Sequence, residues 1–129
     1  MTRDYAKFLQ SFEACEIDAS EFGHIDHVGV AFEMLRKYDF LNAAANYSTC
    51  INTIATRAGA EDKFNTTITL AFLSLIAERM QVSQTDSFAE FIEENVDLMS
   101  GNLLARWYSK DRLTSDLARS VFLMPDVAA

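Results

Sequence analysis

"NTTITLAFLSLIAERM", residues 65–80, is the stretch on which the fold class turns. Its opening, Thr66, Thr67, Ile68 and Thr69, is a β-branched run with strand propensity. Its continuation is apolar nearly all round from Ile68 to Ala77, the pattern of a buried helix. The rest of the chain tips the balance. Four glycines and one proline in 129 residues leave few turn signals, which favours long helices over many-turned β structure. The segment from about 63 to 81 is therefore expected to be a helix, the most buried one and the centre of the fold.

Working outward, residues 3–15 place Tyr5, Phe8, Leu9, Phe12 and Cys15 at spacings of three and four, the mark of an amphipathic helix. A polar connection follows, in which Asp18 or Ser20 is a candidate cap. A second helix is expected over about 22–38. Its stripe is Val28, Ala31, Leu35 and Tyr38, widened by Phe32 and Met34. Projected backwards the stripe passes through His24 and His27, which should therefore point inward, while Asp26, Gly29 and Glu33 fall largely elsewhere. Asp39 is a candidate cap for a third helix over 40–58, with Leu41, Ala44, Ala45, Ser48, Ile51, Ala55 and Ala58 on one side and Gly59 closing it. Asp86 or Ser87 opens a short fifth helix that packs Phe88, Phe91 and Ile92. Short helices are expected near 102–108 and 115–121, the latter capped by Ser115, and Pro125 forbids helix beyond. The expected architecture is all-α: one domain, residues 1–129, a bundle of four longer helices with short C-terminal helices packed across it.

The chain has 19 acids against 11 bases, a net charge of −8, and the bases are scattered rather than clustered. That pattern argues against nucleic acid and against an anionic membrane surface as partners. The start, MTRDYAKFLQSFEACEID, has no apolar core of the signal-peptide kind, and the longest oily run, ITLAFLSLIA, is too short for the roughly 20 residues that a bilayer needs. A cytoplasmic location is the expectation. Cys15 and Cys50 make no disulfide framework and read as core thiols.

Candidate chemistry concentrates in two places. The only histidines, His24 and His27, stand three apart on one helix face and could share a metal ion. Zinc would need one or two further ligands, and no HExxH, ExxH or cysteine pair supplies them. The alternatives are a structural hydrogen bond for a buried imidazole, or a ligand pocket in which His27 exchanges a proton. The second place is KFNTTIT, residues 63–69. There Asn65, Thr66 and Thr69 can face a ligand at a helix N-terminus, or simply cap it. No GxSxG and no glycine-rich phosphate loop is present. Glu90, Glu93, Glu94 and Asp97 read as a solvated acidic face. Trp107 and Tyr108 read as a core or interface anchor, or as a pocket wall.

FGHIDHVGVAFEMLRKYDFLNAAANY, AGAEDKFNTTIT and YSKDRLTSDLARSVFLMPD together resemble a family of small all-helical bacterial proteins to which no activity is assigned. That family has an H-x-D-H helix start, a K-[FY]-H-x-T-[IL]-T segment, and a serine–leucine–alanine–arginine tail ending in Pro-Asp. The resemblance spans Phe22 to Asp126. It implies that the His24/His27 region and residues 63–69 form one polar cluster where two helix N-termini meet. It also gives Arg119 and Asp126 a role in docking the C-terminus, as an ion pair or a cap. Asn65 stands where the family has histidine, which argues against a three-histidine metal site.

Two functions fit this reading. One is a small-molecule binding protein, or an enzyme, with a site between helices two, three and four that uses His24, His27, Asn65, Thr66 and Thr69. The other is a non-catalytic interaction module that assembles as a homo-oligomer. A metal-dependent enzyme is a third and weaker fit, with His24 and His27 as the ligands. A cavity of roughly 300 Å³ or more beside His27 would favour the first, and a large apolar patch elsewhere the second.

Overall fold

The threonine-rich stretch is helical. In the computed structural model, which describes residues 3–127, the helices are α1 (Tyr5–Glu13), α2 (His24–Lys37), α3 (Phe40–Arg57), α4 (Thr66–Ser83), α5 (Phe88–Glu94), α6 (Lys110–Leu113) and α7 (Asp116–Ser120). Single 3-10 turns fill the gaps at Ala19–Glu21, Glu61–Lys63, Val96–Met99 and Leu103–Arg106, and there is no strand among the described residues. The fold is the expected small all-α bundle. The segment expected as one helix over 102–108 is instead a 3-10 turn, and α6 comes after it.

Caps set the boundaries. Asp4, Asp39, Asn65, Ser87, Ser109 and Ser115 each accept a hydrogen bond from the backbone N–H three residues on, which satisfies one of the otherwise orphan donors of a first turn. Asp18 caps only the 3-10 turn. At the start of α2, Gly23 is the cap residue, and its N–H donates to Asp26 Oδ2 at 2.9 Å. Gly59 follows α3 with φ +71°, a left-handed position that suits a residue without Cβ.

The centre of the bundle is α2, not α4. Val28, Gly29, Val30, Ala31, Phe32 and Met34 are buried in succession, because α2 is covered by α1, α3, α4 and α5. By contrast α4 fully buries only Thr67, Leu73 and Ile76. Its all-round apolarity is spread over partial contacts with α2, α3, α5 and the C-terminal segment. In α3 the buried row is Ala43, Tyr47, Cys50 and Ile54, a clean helical stripe. The row expected from Leu41 is displaced to the edge: Ala44, Ser48, Ile51 and Ala55 are half-buried, and Leu41 is 79% exposed. Tyr47, large and aromatic, fills the interior where the small residues of the expected row would leave space.

Asp26, expected away from the interior, is buried. Tyr5 Oη donates to its Oδ1 at 2.7 Å, Arg3 lies 3.6 Å away, and Gly23 N–H takes the other oxygen, so the carboxylate is fully partnered. Of the two cysteines, Cys50 is buried and Cys15 only half so, in a left-handed turn (φ 58°) that ends α1. Burial, with Cys15 beside it, pushes the Cys50 thiol up to about 11. Asp97, read as part of a solvated acidic face, instead takes both arms of the Arg79 guanidinium at 2.8 and 2.9 Å, which holds its carboxyl down at about 2.

The polar start of α4 docks the C-terminal segment. Asn65 Nδ2 donates to Leu113 O, Thr66 Oγ1 to Arg119 O, and Thr67 Oγ1 to Val121 O, while Thr67 Oγ1 also accepts from Leu123 N–H. Farther along, Asp126 caps Ser109 through both its N–H and its hydroxyl at 2.7 and 2.6 Å. Of the two docking roles the resemblance implied for the tail, the cap is the one Asp126 fills; Arg119 pairs with Asp116 instead. Thr67 is fully buried, so Thr67→Val, close to it in shape, strands one carbonyl and one N–H. We expect a loss of about 2 kcal/mol in urea denaturation. An unchanged midpoint would refute this account of the segment.

Candidate functional site

The N-terminal ends of α2 and α4, the inner side of α3 and the 101–105 loop enclose a cleft of about 710 Å³. Its walls are mostly apolar: Phe22, Ile51, Ile54, Phe64, Phe72 and Leu104 supply much of them. Residues of the first turns of α2 and α4, His24, His27, Ile68 and Thr69, contribute to it.

His27 forms part of the wall and is half-buried. Its ring packs on Phe22 with centroids 4.2 Å apart. The buried Tyr47 hydroxyl lies 3.5 Å from His27 Nδ1 and 3.3 Å from its carbonyl oxygen. His27 Nε2 makes no hydrogen bond among the described residues, so the polar edge of the ring is left for whatever enters. Burial, reinforced by His24 and opposed by Asp26, lowers the imidazole to about 4 and keeps it neutral near pH 7.

His24 does not point inward as its stripe implied. It is exposed at the mouth, edge-on to Phe72, with Nε2 2.9 Å from Leu98 O. A carbonyl oxygen only accepts, so Nε2 is the donor in that bond, and Nδ1 makes no hydrogen bond among the described residues. Of the three candidate ligand groups in 63–69, Asn65 and Thr69 line the cleft, with Lys63, Phe64 and Ile68 beside them, and Thr66 does not. The Asn65 amide is already committed, with Oδ1 on Ile68 N–H and Nδ2 on Leu113 O. The Thr69 hydroxyl makes no side-chain hydrogen bond among the described residues. His24, His27 and Thr69 are thus the polar groups of the expected set with capacity to spare.

No family model, no curated protein and no solved structure matches this chain.

For metal binding, the two histidines would have to act alone. No group of three or more His, Cys, Asp or Glu side chains converges among the described residues, and the Leu98 carbonyl engages one nitrogen of His24. Two imidazoles do not complete the ligand set of a structural or catalytic zinc site.

Tyr108 lines the cleft, one of the two places the sequence left open for it, whereas Tyr47, Lys63 and Lys110 are wall residues that the sequence reading did not single out. Tyr47 carried a signal, a large aromatic three and four residues from Ala43 and Cys50 on one stripe. Lys110 carried none, because only the docking of the C-terminal segment onto α4 brings it to the cleft.

Proposed function

We propose that this protein is a small-molecule binding protein of the cytoplasm, and that the cleft between α2, α3 and α4 is its binding site. The observation that carries this reading is the size and lining of the cleft. At about 710 Å³ it lies within the roughly 300–1,000 Å³ range of ligand sites, and its walls are apolar with a few polar groups beside His27. Binding is favoured over catalysis because no carboxylate lines the cleft to pair with His27, and burial keeps the neighbouring Tyr47 hydroxyl protonated. No helix among the described residues is long and apolar enough to cross a membrane.

The competing reading, a non-catalytic homo-oligomeric module, draws on the exposed Leu117, Val121, Phe122 and Met124 of the C-terminal segment. Size-exclusion chromatography with light scattering addresses it directly: a monomer at micromolar concentration removes it.

The cleft reading is tested with N-phenyl-1-naphthylamine, a neutral apolar fluorophore. Saturable enhancement is expected with the wild type. Ala55→Trp, which fills the cleft from α3, should weaken it at least tenfold with helicity retained. Equal dye binding by the two proteins would overturn the assignment.

A further inference from the structure

The charged side chains on the cleft wall all have one sign. The chain carries 19 acids, yet none of them lines the cleft, whereas Lys63 and Lys110 both do. Neither lysine side chain makes an ion pair or hydrogen bond among the described residues; the ion pairs there use arginines and Lys37. Glu61, Asp62 and Asp111 flank the lysines in sequence but fall outside the wall. The two cations reach the site from separate segments of the chain, one from the 3-10 turn before α4 and one from the start of α6.

From this, and resting on the ligand-binding reading of the cleft, we infer that the ligand is an amphipathic monocarboxylate, with its apolar body against Phe22, Ile51, Phe64 and Phe72 and its carboxylate between Lys63 and Lys110. A wholly apolar ligand would leave the lysines unused, and a cationic one would be repelled by them. The net charge of −8 does not prevent entry of an anion. At physiological salt, charges farther off than about 8 Å are largely screened. Within that range the cleft wall carries Lys63 and Lys110 and no acidic side chain.

Three probes of equal chain length separate the contributions: dodecanoate, 1-dodecanol and dodecylamine, each titrated calorimetrically below its micelle concentration. Dodecanoate is expected to bind about tenfold more tightly than the alcohol, and the amine most weakly. In the double variant Lys63→Gln/Lys110→Gln the gap between acid and alcohol should close while the affinity for the alcohol stays as it was. Raising the salt should narrow the gap in the wild type. If the alcohol matches the acid in the wild type, or the preference persists without both lysines, the ligand class is wrong and the cleft reading stands. If none of the three binds, both fall.

Discussion

Gly29→Ala is expected to destabilise the fold by about 3 kcal/mol, lowering Tm by on the order of 10 °C. On an exposed helix the same change would help by up to about 1 kcal/mol, because glycine is the weaker helix former. Here a Cβ would lie 2.5 to 2.6 Å from three atoms of the Tyr5 ring, well inside contact distance. The ring cannot step aside cheaply. Its hydroxyl is bound to buried Asp26 at 2.7 Å, and its other edge packs against Phe88 at 5.0 Å. Moving it uncouples α1 from α2, the most extensive helix contact in the molecule. Gly101→Ala is the control, since a Cβ there meets nothing within 4 Å. The double variant Tyr5→Leu/Gly29→Ala should cost less than the sum of the single changes, because the smaller side chain vacates the space. Additivity in that cycle would refute the steric account.

The same contact shows where the sequence was legible and where it was not. Local rules carried far. The caps Asp39, Asn65, Ser87 and Ser115 stand where hydrogen-bonding side chains precede apolar periodicity, and the scarcity of glycine and proline foretold the long helices. What local rules could not assign was rank among helices. Apolar content made α4 look central, but centrality depends on how many neighbours cover an element. One of the four helices that cover α2, namely α1, packs closely because glycine at position 29 admits Tyr5. For the site, the structure brings His24, His27, Asn65 and Thr69 to one cleft and leaves Thr66 outside it. Side-chain orientation at the start of α2 was not legible in the sequence, because helical projection of a stripe loses force at the first turn. There His24 bonds Leu98 O, 74 residues away, and Asp26 is drawn inward by Tyr5. Thr66 reads from sequence as a ligand group or cap, and Thr66 and Thr67 together as part of a run with strand propensity. They hold the C-terminal segment instead, a use visible only once Val121 and Leu123 come into reach.

The second large effect is an acid-side loss of stability that belongs to His27. In the folded chain its imidazole titrates at about 4, against about 6.5 when unfolded, because burial beside Phe22 and Tyr47 disfavours the cation. The sign follows from proton counting. Between these values the unfolded chain binds a proton that the folded chain refuses, so acid favours unfolding. The contribution is fully present above about pH 6.5 and is lost as pH falls toward 4. That loss amounts to about 2 kcal/mol by about pH 5, and about 3 kcal/mol by about pH 4. The two charged groups acting on the ring oppose each other: His24 adds to the shift and Asp26 reduces it. Carboxylates with lowered values, Asp97 at about 2 and Glu13 below its usual range through Tyr38 and Lys37, contribute their own losses at lower pH. Urea midpoints measured at about pH 7, 6 and 5 should therefore fall in the wild type and stay nearly level in His27→Gln. In His24→Gln the slope should persist but shrink, since a repulsive neighbour is gone. A wild-type slope that survives in His27→Gln would mean that the ring is not held neutral in the cleft wall.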